Sequence, residues 1–144
     1  MTSETDCIFC KILKGELEAS FVYQDEICSA FMDIQPVNKG HILIVPKKHA
    51  ELITEIDDET SAKMFTLAKR INIALRKSDI RLEGVNYFLA DGEAAGQEVP
   101  HAHLHIFPRF KGDGFGLAFS EDYRTVLPKR TELDIIAEKI KQLL

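Results

Sequence analysis

Apolar positions follow two rhythms along this chain, one of three and four and one of two, and the changes between them mark its elements. Met64, Leu67, Ala68, Ile71, Ala74 and Leu75 recur at helical spacing within residues 58–77, the stripe of an amphipathic helix that turns one face to a core. Asp57, Asp58 and Glu59 stand at its start and Arg76 and Lys77 at its end, each sign where the helix dipole favours it. A shorter stripe of Ile8, Phe9, Ile12 and Leu13 closes at Gly15, which predicts one short helix ended by a glycine. A third stripe, Leu133, Ile136, Ala137, Ile140 and Leu144, predicts a last helix that starts at Thr131, with Asp134 completing a start like a capping box, and that buries this stripe.

Between the helices the rhythm shortens. FVYQ (21–24) and ICSAFMDI (27–34) flank Asp25-Glu26 as a hairpin would. HILIVP (41–46) is a continuous apolar run closed by Pro46, which suits a central strand covered on both faces. VNYFLA (85–90) reads as a fourth strand, and Asp91-Gly92 leads through GEAAGQEVP into a fifth, PHAHLHIFPR (100–109). Strands joined mostly by short turns predict an α+β fold with an antiparallel sheet. No repeat or Pro/Gly/Ser-rich linker divides the chain, so one domain over 1–144 is expected.

The fifth segment carries the chemistry. Side chains alternate across a strand, so His101, His103 and His105 share one face while Ala102, Leu104 and Ile106 share the other. Neighbouring histidine positions are then separated by two rises, roughly 6.6 Å. Three readings compete: satisfied polar groups on a half-exposed strand, a metal triad, or a catalytic face on which a neutral imidazole offers a nitrogen lone pair. One strand is an awkward source for all three ligands of one ion.

Bulk composition narrows the partners. A net charge of -5 gives no basic footprint for DNA or RNA. No stretch approaches the ~20 apolar residues that cross a bilayer, and the first twenty residues lack a basic start followed by an apolar block. A cytoplasmic protein without membrane attachment is expected. Three cysteines, two of them in CIFC (7–10), argue against a disulfide framework and raise a thiol or metal role instead.

HAHLHIF fits the histidine triad signature, and the preceding DGEAAGQEV resembles that family's glycine-glutamine loop. The resemblance runs in order from CIFCKI through FMDIQPVNKGH and IVPKKH to PRFKGDGF, and it is similar to both the histidine triad nucleotide-binding proteins and the fragile histidine triad hydrolases. It implies a HIT-like fold, with a five-stranded, mainly antiparallel sheet, a long helix, and short N-terminal and C-terminal helices. It also implies a nucleotidyl hydrolase acting on purine nucleotide derivatives, either AMP phosphoramidates or dinucleoside polyphosphates, and a homodimer.

Residue by residue, the resemblance makes His103 the nucleophile toward the α-phosphorus and His105 a contact to phosphate oxygens and leaving group. Gln97 would lie against the phosphate and the incoming water, and His41 would support the triad. Asp33 matches the acidic residue that accepts from the ribose hydroxyls; Phe9 and Phe31 match the apolar wall for the base, with Ile8 and Ile12 as lesser candidates and Val99 beside the phosphate. Backbone N–H groups around Gly96 to Val99 would cradle the phosphate. Cys7, Cys10, His49 and His101 are similar to the structural zinc site of the distantly related galactose-1-phosphate uridylyltransferases, so a structural zinc is expected and a catalytic metal is not. Ala90 and Glu98 depart from the pattern, standing where asparagine and Ser or Thr are usual. They leave open an alternative, a nucleotide-binding or zinc-stabilised interaction module without useful turnover. A zinc hydrolase using the histidines as ligands is the third hypothesis. KGDGFG (111–116) lacks the helix that a dinucleotide-binding loop requires.

Overall fold

The computed structural model describes residues 4–144, and the chain divides into two compact units, residues up to 113 and residues 114–144. The first unit runs α1 (Ile8–Leu13), β1 (Phe21–Gln24), β2 (Cys28–Met32), β3 (Ile42–Pro46), α2 (Asp58–Lys77), β4 (Gly84–Phe88) and β5 (Leu104–Arg109). The strands form one antiparallel sheet in the order β1-β2-β3-β5-β4. The α+β class is therefore as read from the pattern, and β3 is the central strand, buried at every position.

Local chemistry accounts for the elements. Asp57 caps α2 by accepting from the Thr60 N–H at 2.7 Å, and Asp25 shapes the β1–β2 turn by accepting from the N–H groups of Ile27 and Cys28. Gly15 ends α1 with φ +77°. Gly40, at φ +94°, passes so close to Ile80 and Pro108 that a Cβ would stand 3.1 Å from each, so the turn that delivers His41 to β3 requires glycine.

Alternation along β3 splits the core in two. Ile42 and Ile44 join Leu104 and Ile106 of β5 against Met64, Leu67, Ala68, Ile71 and Leu75 of α2. Leu43 and Val45 face the other way, onto Phe31 and the α1 residues Cys7, Phe9, Cys10 and Ile12. The second face bears the histidines. It is closed by a helix of only six residues, so part of it remains an open cleft.

Two expectations need correction. The strand β5 begins at Leu104, so only His105 lies within it; His101 follows a tight turn in which its N–H donates to the Val99 carbonyl. In the second unit, α3 (Arg130–Lys141) starts one residue earlier than read, with Glu132 rather than Asp134 accepting from the Lys129 N–H. Its stripe is not buried: Leu133, Ile136, Ile140 and Leu144 are all exposed. An amphipathic period states which face is apolar, and within residues 114–144 no other element buries it. Among the described residues no helix is long and apolar enough to cross a membrane.

Candidate active site and metal centre

A cleft of about 490 Å³ opens on the histidine face of the sheet. Ile8, Phe9, Phe31, Asp33, His41, Val99, His103 and His105 all line it. Phe9 sets its ring edge against Phe31 and His103, with centroids 5.6 and 5.1 Å away. The rings of His103 and His105 stand 4.7 Å apart, closer than their backbone spacing, because both lean into the cleft.

Hydrogen bonds fix which nitrogen of each ring carries the proton. His103 Nδ1 lies 2.7 Å from the His101 carbonyl, which can only accept. Nδ1 is therefore protonated, and Nε2 holds a lone pair. His41 shows the opposite arrangement. The Val37 N–H donates to His41 Nδ1 at 3.0 Å, so the neutral ring carries its proton on Nε2, 2.9 Å from His105 Nδ1. His105 accepts there and is left with an Nε2–H donor. One backbone N–H thus sets two histidines in sequence, and the neighbouring rings of the triad end as opposites, a lone pair on His103 and a donor on His105.

Burial disfavours the charged form of these rings. It is the main cause pushing His105 down to about 4, with His103 and His41 beside it adding to the effect. His103 and His41 are likewise lowered, chiefly by burial. Asp33 completes the group: Oδ1 accepts from the Gln35 N–H at 2.8 Å, while Oδ2 lies 3.5 Å from His41 Nε2 and 3.9 Å from His105 Nδ1.

Gln97 is placed differently from its expected role. It does not line the cleft; its Oε1 accepts from the Gly92 N–H at 2.7 Å, and its Nε2 donates to the carbonyls of Glu51 and Val99. The side chain clamps the loop that carries Glu98 and Val99. The N–H groups of Gly96 and Gln97 are also engaged within that loop. Ala90 is buried and brings no polar group, whereas Glu98 lines the cleft. Phe88 was not foreseen as a cleft residue. It pairs with His105 across β4 and β5, a register that the spacing of apolar residues does not disclose.

His101 points elsewhere. Its Nε2–H donates to the Pro46 carbonyl at 2.9 Å, so the Nδ1 lone pair faces Cys7 Sγ at 3.4 Å and Cys10 Sγ at 3.6 Å; His49 Nδ1 is 3.3 Å from Cys10 Sγ. The four donor atoms lie within 4.8 Å of one another. A tetrahedral zinc with Zn–S near 2.3 Å and Zn–N near 2.0–2.1 Å requires S···N separations of about 3.5 Å, so the donor set fits. Burial, with Cys7 adding to it, pushes the Cys10 thiol up to about 11, and a bound cation is what would favour the thiolate. Asp33, His41 and His105 also bring donor atoms within 4.8 Å. That group fits a metal poorly, because the Val37 N–H keeps the proton on His41 Nε2, the nitrogen a cation would need.

Comparison with known proteins decides the family. The family model described as the HIT domain matches residues 14–112. The chain belongs to the histidine triad family. The crystal structure of a HIT family protein from Bacillus subtilis is 40% identical to this HIT chain, with a TM-score of 0.84, covering 96% of this chain and 97% of that one. The adenosine 5'-monophosphoramidase hnt1 of Schizosaccharomyces pombe is 34% identical over 93% of this chain and 95% of its own. A Zn-bound histidine triad family protein from Mycobacterium smegmatis is 38% identical, with a TM-score of 0.75, over 83% of this chain and 86% of that one.

Proposed function

We propose that this HIT protein hydrolyses purine nucleotide derivatives at the α-phosphorus through a nucleotidyl intermediate on His103. The observation that carries the reading is the hydrogen bond from His103 Nδ1–H to the His101 carbonyl, which leaves the Nε2 lone pair for attack. Nε2 forms a bond to phosphorus, and the bond to the leaving group breaks with its electron pair. A departing amine takes one proton from solvent at the cleft mouth. Water then attacks phosphorus, loses its proton to solvent and frees the ring. The His105 Nε2–H donates a hydrogen bond to the atom on which negative charge gathers. The base packs against Phe9, Phe31 and Ile8, and the Asp33 carboxylate accepts from the ribose hydroxyls. Gln97 acts as a positioning residue for the loop, so the phosphate cradle rests on the N–H groups of Glu98 and Val99.

The same proposal includes a structural zinc on Cys7, Cys10, His49 and His101. The Zn-bound relative and the fit of the donor set support it. Zinc there would tie α1 to the segment leading into β5 and take no part in the chemistry. The two-fold dimer expected of the family belongs to the proposal as well and is tested by light scattering. Incubation with an AMP phosphoramidate and with diadenosine polyphosphates tests the activity. AMP release that His103→Ala abolishes is the expected result; no release from either substrate would leave a nucleotide-binding module.

A further inference from the structure

The charges lining the cleft are lopsided. Asp33 and Glu98 contribute two carboxylates, and among the described residues no lysine or arginine lines the cleft. The two carboxylates differ in their surroundings. Asp33 is held by the Gln35 N–H beside the His41–His105 pair. Glu98 is exposed on the loop, lines the same cleft as His103, and has no ion pair among the described residues. Arg109, four residues beyond His105, is paired to Asp113 at 2.6 and 2.9 Å.

We propose that Glu98 is a specificity-determining residue that selects substrates by the charge of the group leaving phosphorus, favouring a leaving group with a positive charge over neutral ones and disfavouring anionic ones. This rests on the hydrolase reading of the cleft. A polyphosphate chain or a sulfate would bring negative charge to a site where Glu98 repels it and no lysine or arginine side chain attracts it. An amine with a second, free ammonium would be drawn to the same carboxylate. Two unit charges about 8 Å apart at an effective dielectric constant of about 40 change a rate roughly fivefold.

Three AMP phosphoramidates of equal length test this: one made from a diamine with a free ammonium at the far end, one from the neutral alkylamine, and one from an amine ending in a carboxylate. Diadenosine triphosphate and adenylyl sulfate extend the anionic series. The expected order of kcat/KM within the isosteric set is ammonium, neutral, carboxylate, with about fivefold per step. Glu98→Gln should collapse the spread within the set, bringing the ammonium-to-carboxylate ratio of kcat/KM from about 25-fold to within about twofold of one. Added salt should shrink the spread, since Glu98 is exposed. Turnover of all three by both proteins with an unchanged ratio would overturn the inference and leave the hydrolase reading standing. Turnover of none of the five compounds by the unaltered protein would overturn both.

Discussion

Replacing His41 tests the proton arrangement of the site. His41→Leu removes the acceptor for the Val37 N–H, a 3.0 Å bond, and the donor to His105 Nδ1, a 2.9 Å bond. Each orphaned part-buried group costs about 1–3 kcal/mol, so the variant should lose roughly 2–6 kcal/mol and still fold if its starting stability lies in the upper part of the ordinary ~5–15 kcal/mol. The functional cost is separate. A hydrogen bond of about 1.4 kcal/mol holds His105 in the Nε2–H form by roughly tenfold over its other tautomer. Without it the ring divides between forms, which takes the productive fraction from about nine-tenths to about half, and kcat should fall about twofold. His41→Gln, whose amide can accept from Val37 and donate to His105, should recover most of both losses. Long-range ¹⁵N correlation spectra of histidine-labelled protein report the tautomer directly, beside kcat and thermal denaturation. A proton on His105 Nδ1 in the unaltered protein would refute the reasoning, as would a His41→Leu variant with unchanged tautomer and rate.

Further predictions concern the metal, acid stability and the loop. Elemental analysis should find about one zinc per chain, and Cys10→Ala should lose it and lower the melting temperature by roughly 5–15 °C, at about 3–5 °C per kcal/mol for a domain of this size; full stability without metal would contradict the structural assignment. Because burial lowers His105 from its ordinary 6.5 to about 4, the unfolded chain takes up this proton first as pH falls. Its contribution is complete above pH 6.5 and is lost toward pH 4, up to about 3 kcal/mol. Denaturation midpoints of His105→Phe should fall less over that window, and an equal slope would oppose it. Gln97→Ala removes three hydrogen bonds from the loop. It should speed amide exchange across 92–99 and raise KM severalfold; unchanged exchange would sink the clamp assignment.

Much of this architecture was legible because the two apolar periods are strong where burial is two-sided or one-sided throughout. The run HILIVP became the fully buried β3, and the stripe from Met64 to Leu75 became the face of α2 against the sheet. The same logic failed at α3, where the period is present but the face is exposed. At the site, His103 and His105 both line the cleft although only His105 lies within β5, and HAHLHIF signalled the family. What the residue types could not reveal were the backbone partners. The His101 carbonyl, the Val37 N–H and the Pro46 carbonyl decide the roles of His103, His41, His105 and His101, and no side chain announces them. Gln97 shows the limit of a motif, since a glutamine in the expected place directs its amide to the backbone of Gly92, Val99 and Glu51. Phe88 entered through strand register, which depends on how β4 meets β5 rather than on local sequence.

The account depends on His103 Nε2 forming a bond to phosphorus. Mixing the protein with an AMP phosphoramidate, quenching in base within the first turnover and mapping the modified peptide by mass spectrometry tests that bond. One nucleotidyl group on His103, absent from His103→Ala, is the predicted result. A nucleotidyl group on another side chain, or undiminished AMP release by His103→Ala, would contradict it.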